Sequence, residues 1–334
     1  MTLVVAFIFC GAVSAAPVTT NNTTVKLSQT SSVTGQFDPA IDGNRVVWIQ
    51  GDSSGHTAVY YKNLATGATG KVLSSSQNQL KPEISGTRVV WEQIDSNDHS
   101  AIYYKNLESG VYGKVFTSSQ NQTMAKISGP RVVWMQGDLS SYSAIYMKNL
   151  ETGYVGKVYS SSLNQAYPDI SGKRVVWMQL INKNTGLSNI YEKNYASGYV
   201  GRVSSSVNEQ AIPTISGTRV VWTQMNTSGA SAIYTKDVAT GYVTKIVSST
   251  TNMYYPTIDG TRIAWMQMTP SGIPTIYYKN LASGLLAKIV NTTQNYLPNI
   301  SGTLIVWTHM DASHNTSIYL KNLLSGKISR LTLI

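Results

Sequence analysis

The residues best equipped for chemistry in this sequence are its four histidines and the aspartates beside them. His56, His99, His309 and His314 sit close in sequence to Asp52, Asp95, Asp98 and Asp311. Imidazole and carboxylate together suit a divalent metal or general acid–base work. No pair among them stands at a metal-motif spacing, so no metal and no cofactor is assigned. Nucleophilic catalysis has no better footing. No Ser-His-Asp set on a nucleophile elbow is assigned, there is no glycine-rich phosphate loop, and the only cysteine, Cys10, lies in an apolar N-terminal run. Glu83, Lys126 and Asp169 recur at one position of consecutive repeats with alternating sign, which reads as pairing between repeats rather than acid–base chemistry. No catalytic residue is assigned.

The elements that would hold these residues follow from the tryptophans. Trp48, Trp91, Trp134, Trp177, Trp222, Trp265 and Trp307 are spaced by 43, 43, 43, 45, 43 and 42 residues. A period of this size is that of a propeller blade. In the copy from 80 to 122, Lys81-Pro82-Glu83-Ile84-Ser85 reads as a short inner strand and Gly86 as the tight turn after it. The apolar run Val89-Val90-Trp91 reads as a second strand covered on both faces. Residues 101–107 and 113–118 supply a third and an outer strand, joined at Glu108-Ser109-Gly110. No segment has helical periodicity. The fold class is therefore all-β: a single seven-bladed β-propeller of four-stranded antiparallel blades. Its blades are expected at 37–79, 80–122, 123–165, 166–210, 211–253, 254–295 and 296–334, with each tryptophan buried between blades. Two residues after each tryptophan comes Gln50, Gln93, Gln136, Gln179, Gln224 or Gln267, with His309 the exception. This ring is expected to tie neighbouring blades by hydrogen bonds.

The repeated pattern Pro-x-Ile-Ser-Gly-x-Arg-Val-Val-Trp, followed by Ile-Tyr-x-Lys-Asn-Leu-x-Ser/Thr-Gly, resembles the TolB-type propeller repeats of archaeal cell-surface proteins, notably those of methanogens. The resemblance covers residues 37–334. It implies an extracellular, non-catalytic surface protein. It says less about function than about fold, because one architecture hosts many activities.

The formal charge of +10 invites a polyanion reading. Yet 20 of the 26 basic residues fall in three rings, one after the turn glycine, one on the third strand and one on the outer strand. A position repeated in every blade serves the blade, and no nucleic-acid partner is expected. Residues 1–15 have the length and the small-residue ending of a signal peptide, so export to the extracellular space or cell surface is expected. The mature chain would then carry no cysteine and no apolar run long enough to cross a bilayer. Residues 16–36 form a lead-in, in which 24–32 resemble an outer strand able to lock the ring.

The loops joining second to third strands are where the repeats differ, and loops on a rigid scaffold are where recognition is placed. Candidate binding residues there are Asp52, His56, Asp95, Asp98, His99, Tyr142, Asn182, Asn184, Asn226 and His314. The expected function is a secreted, monomeric, non-catalytic module, binding or structural, whose partner is a cell-surface protein or glycan. The alternative is an extracellular propeller enzyme, lyase or hydrolase, acting on a polysaccharide.

Overall fold

The computed structural model describes residues 35–52, 55–139, 141–181, 187–226, 230–290 and 294–331. These residues form seven four-stranded antiparallel sheets, each built from four consecutive strands in the order inner, second, third, outer. In blade one the strands are Gln36–Asp42, Arg45–Gly51, Thr57–Asn63 and Thr69–Lys71. The sheets follow one another around an axis, and each inner strand packs against the inner strands before and after it. The protein is a seven-bladed β-propeller. Among the described residues no helix is long and apolar enough to cross a membrane.

The second strand explains why the sheets stack. In Arg88–Ile94, Val89, Val90 and Trp91 are completely buried, because a sheet between two others has no solvent face. All seven tryptophans are at most 1% exposed. Each stacks on the cross-strand tyrosine of its own blade, as Trp134 does on Tyr146 at 5.9 Å, and packs its other face on the preceding blade. Trp91 shares a cluster with Val47, Ile49, Val59 and Val72 of blade one.

Polar groups fasten the blades at three radii. Next to the axis, the turn glycine of one blade donates its N–H to a Ser or Asp of the blade before it. Gly129 donates to Ser85 Oγ at 3.0 Å and Gly43 to Ser301 Oγ at 2.9 Å. These glycines hold φ near +55° to +60°, a region that an L side chain enters only at a cost. Further out, inner-strand glutamines accept from the third strand of the preceding blade, as Gln122 Oε1 does from the Ile102 N–H at 3.1 Å. The glutamines after the tryptophans act mainly inside their own blade, accepting the indole N–H at 3.3–3.5 Å in five blades. Some also reach the incoming linker, as Gln93 does to Gln77. At the rim, third-strand lysines donate to outer-strand carbonyls of the preceding blade, for example Lys148 Nζ to Val115 O at 2.7 Å. One ring of basic residues is thus occupied in holding the blades together.

Blade seven uses four strands of its own, and side chains close the ring. Gly43 reaches Ser301, Asp38 N–H donates to Thr308 Oγ1 at 3.1 Å, and Trp48 packs with Val306, Ile318 and Leu331. The expected locking strand at 24–32, like the signal segment, lies outside the described residues.

Candidate functional site

The loops that differ between blades share a hidden construction. Asp95 Oδ1 accepts the N–H groups of Asn97 and His99 at 2.9 and 3.0 Å. Asp311 Oδ1 does the same for Ser313 and Asn315, both at 2.9 Å. Asp52 accepts from His56, Asn226 from Ala230, and Thr269 Oγ1 from Ile273. Three residues after the first of these side chains the backbone is left-handed, at Gly55, Asp98, Gly272 and His314 (φ +81°, +58°, +77° and +64°). Five loops are therefore variants of one side-chain-capped turn. The backbone N–H of Asn97 holds the Asp95 carboxyl below its ordinary range, and that of Asn315 does so for Asp311.

The candidates drawn from sequence are thus placed as follows. Asp52, Asp95 and Asn226 cap turns. Asp98 and His314 occupy the left-handed position and are exposed. His56 is exposed, while His99 is partly buried, with Nδ1 3.9 Å from Asp95 Oδ2 and Nε2 enclosed without a partner. The Tyr142 hydroxyl donates to Ser161 O at 2.7 Å, with Lys157 over its ring. Asn182 and Asn184 lie outside the described residues. Among the described residues no group of three His, Cys, Asp or Glu side chains is placed to hold a metal.

A second constellation lies on the inner strands, which line the axis of any propeller. Each inner strand breaks register once against its second strand. At the break a non-glycine residue takes positive φ: Asp38, Lys81, Met124, Tyr167, Ile212, Tyr255 and Leu297, with φ between +47° and +56°. In six blades proline follows, and a bulge is where a strand accommodates a residue with no N–H to give. Two positions later come Ala40, Glu83, Lys126, Asp169, Thr214, Thr257 and Asn299.

The two rings together make an unequal lining. On the side of blades one to four, Lys126 pairs with Glu83. Asp169 Oδ2 accepts from Thr214 Oγ1 at 2.8 Å and from the Ile215 N–H at 2.9 Å. Lys81 Nζ lies 3.2 Å from Glu92, a carboxylate buried behind it that also accepts the Met124 N–H. On the side of blades five to seven the bulge residues are Ile212, Tyr255 and Leu297, with the ring of Tyr254 6.3 Å from that of Tyr255. Lys126 and Glu83 keep 36% and 22% of their side-chain surface accessible although protein surrounds them, as fits groups facing a narrow channel.

Electrostatics mark this cluster. Burial pushes the Asp38 carboxyl up to about 6, against the pull of Lys81 and Lys126. Burial also raises Glu83, outweighing Lys126 beside it. Burial alone would lower the Lys126 amine, yet Glu83, Asp169 and Asp38 together hold it above its ordinary value. Perturbed, mutually coupled groups of this kind concentrate at functional sites. Glu83, Lys126 and Asp169 are legible in the sequence as a pairing set, whereas Asp38 and Lys81 are not. The available signal was the residue before each inner-strand proline.

No family model matches this chain, and no curated protein matches it in sequence. Its shape is shared widely. The β-propeller domain of the Trilobed protease from Pyrococcus furiosus, described as having an open velcro topology, superposes with a TM-score of 0.70 at 12% identity, over 91% of this chain and 97% of that one. A puromycin hydrolase superposes with a TM-score of 0.69 at 12% identity, over 91% of this chain and 55% of its own, so this chain spans about half of that protein. An oligogalacturonate lyase from Vibrio parahaemolyticus gives 0.65 at 12% identity, over 88% and 92%. At such identities the likeness is one of fold. It nonetheless corrects the order of the two functional expectations. The expectation of a non-catalytic cell-surface module is set behind its alternative, a propeller enzyme, lyase or hydrolase, on a polysaccharide, because the similar rings include one peptidase propeller after another.

Proposed function

We propose that this ring serves a hydrolase, as the unit that takes up an extended oligopeptide along its axis and holds it for cleavage. The observation that carries the reading is the unequal axial lining, charged at Asp38, Glu83, Lys126 and Asp169 and uncharged on blades five to seven, where Ile212, Tyr255 and Leu297 are joined by Thr214, Thr257 and Asn299. An extended peptide presents side chains on opposite sides, and such a lining answers a charged side and an uncharged one at once. Lys81 already has Glu92 behind it, so Lys126 faces three carboxylates and the wall is net acidic. The preferred peptide then alternates basic and apolar residues. The one Gly-x-Ser-x-Gly match, Gly51-Asp52-Ser53-Ser54-Gly55, joins two strands of blade one where a nucleophile elbow needs a helix to follow, so the cleaving group is proposed to come from a hydrolase unit outside this ring.

The likeness to peptidase propellers supports this reading, and the TolB-type character of the repeat belongs to the same proposal. Fluorescence anisotropy with a labelled peptide of alternating Lys and Leu tests it. Saturable binding is expected, weakened in Asp169→Asn and absent for the matching Glu–Leu peptide. Equal binding of both peptides, or of neither, would overturn it. Export is a further part of the proposal, and an intact residue 1 in N-terminal sequencing of the native protein would count against it.

A further inference from the structure

Blade seven departs from the blade pattern at two positions that meet a small side chain of blade six in space. The glutamine after the tryptophan is His309, and the inner-strand glutamine is Asn295. Facing Trp307 from blade six is Val290, at a position that carries a ring in Phe116 against Trp134 and Tyr159 against Trp177 but Leu73, Ser204 and Val247 in other blades. All three residues border the space between the outer strand of blade six, Leu286–Lys288 with the residues just after it, and the face of blade seven. There the structure has a cleft of about 400 Å³, walled by Lys288, Val290, Trp307, His309, Tyr319 and Lys321 among others. That volume is at the small end of the range for small-molecule sites.

The hydrogen bonds around His309 fix its chemistry. Asn295 Oδ1 accepts the Trp307 indole N–H at 2.9 Å, and an indole nitrogen can only donate, which settles the orientation of the amide. The same oxygen lies 3.1 Å from His309 Nδ1. Nδ1 must therefore carry the hydrogen, leaving Nε2 of the neutral ring as a bare acceptor. The Tyr319 ring meets the imidazole edge-on at 5.1 Å and fixes its plane. Burial lowers the His309 pKa, so the neutral form persists at physiological pH. Asp311 acts on His309 from its own loop, while the charged groups in the walls of the cleft are cations. Lys288 and Lys321 are in the walls, Lys321 with one N–H already given to Ile289 O at 2.8 Å, and Arg330, directly across from Tyr319, is close enough for its charge to act on His309.

We propose that the blade six–seven cleft is a binding site for a small hydroxylated carboxylate, such as an acidic sugar, whose hydroxyl donates to His309 Nε2 and whose carboxylate lies among Lys288, Lys321 and Arg330. The site is separate from the axial channel and does not depend on it.

The fold itself supplies the test variants. His309→Gln installs the residue six blades already carry, and Val290→Phe installs the ring that blade two places at the equivalent position, which would fill the cleft. Both are expected to melt within a few degrees of wild type. Calorimetric titration with glucuronate should give saturable binding to wild type. His309→Gln should weaken it roughly tenfold, since the amide can donate to and accept from solvent and lacks the fixed bare nitrogen. Val290→Phe should abolish it. Glucose and acetate, each carrying half of the recognised chemistry, should bind much more weakly. No saturable binding to wild type, undiminished binding to Val290→Phe, or equal binding of glucose would each overturn the proposal.

Discussion

At the scale of single residues, the seven tryptophans look equivalent and are not. Trp134 Nε1 donates to Gln136 at 3.3 Å, whereas Trp222 Nε1 is buried without a partner. Gln224 accepts instead from Gln210 Nε2 at 3.0 Å. Trp134→Phe and Trp222→Phe leave similar gaps, but only the first removes a hydrogen bond. In denaturant titrations Trp134→Phe should therefore cost about 1 kcal/mol more than Trp222→Phe. Equal losses would contradict the assigned geometry. Asp38 gives a pH signature. Its pKa rises from 3.8 to about 6 on folding, so the folded state holds the proton more tightly. Stability should fall as pH rises from about 4 to 6, by on the order of 2 kcal/mol from this group. Glu83, also raised, acts in the same direction. Asp38→Asn should flatten that slope and be more stable than wild type, relative to its own acid value, above pH 6. An unchanged slope would remove Asp38 from the buried cluster.

At the scale of elements, the strands were legible in the sequence because tryptophan, turn glycine and proline recur in phase, and each marks one place in a blade. Two features were not. A side-chain period of two carries a strand straight through its bulge, so Asp38 and Lys81 gave no sign of turning toward the axis. The loops were read as free because their residues differ, yet Asp52, Asp95, Asn226, Thr269 and Asp311 all cap the same turn. Difference in sequence hid a shared hydrogen bond that several residue types can make. The turn predicts opposite effects from neighbours. Asp95→Ala should lower stability by about 1 kcal/mol through loss of its two backbone bonds. Asp98→Gly, at a left-handed position where other loops carry Gly55 and Gly272, should raise it by about 0.5 kcal/mol. Thermal melts of the two variants check both signs. The same interchangeability explains why blade six lacks an inner-strand glutamine. Met253 stands there, and the outer strand before it extends over Val243–Ser249, pairing Ile233 with Val247, where other outer strands pair for three or four residues.

At the scale of the whole molecule, near-equal blades build a ring whose axis is unequal. Glycine–serine and lysine–carbonyl bonds repeat around it with little change, and the second set occupies one of the three rings of basic charge that first suggested a polyanion partner. Against that regular frame the axial lining changes character: at the bulges Asp38 and Lys81 give way to Met124, Tyr167, Ile212, Tyr255 and Leu297, and two positions on Glu83, Lys126 and Asp169 give way to Thr214, Thr257 and Asn299. Symmetric packing does not require this asymmetry, and it is the basis of the proposal that the axis takes an extended peptide. The most direct measurement is photo-crosslinking with the Lys–Leu peptide carrying a photoreactive side chain at its centre, followed by mapping of the modified residues by mass spectrometry. The account predicts modification at Met124, Tyr167, Tyr255 and Leu297, competed away by unlabelled peptide. Modification confined to the turns at 95–99 and 311–315, or to the outer rim, would contradict it.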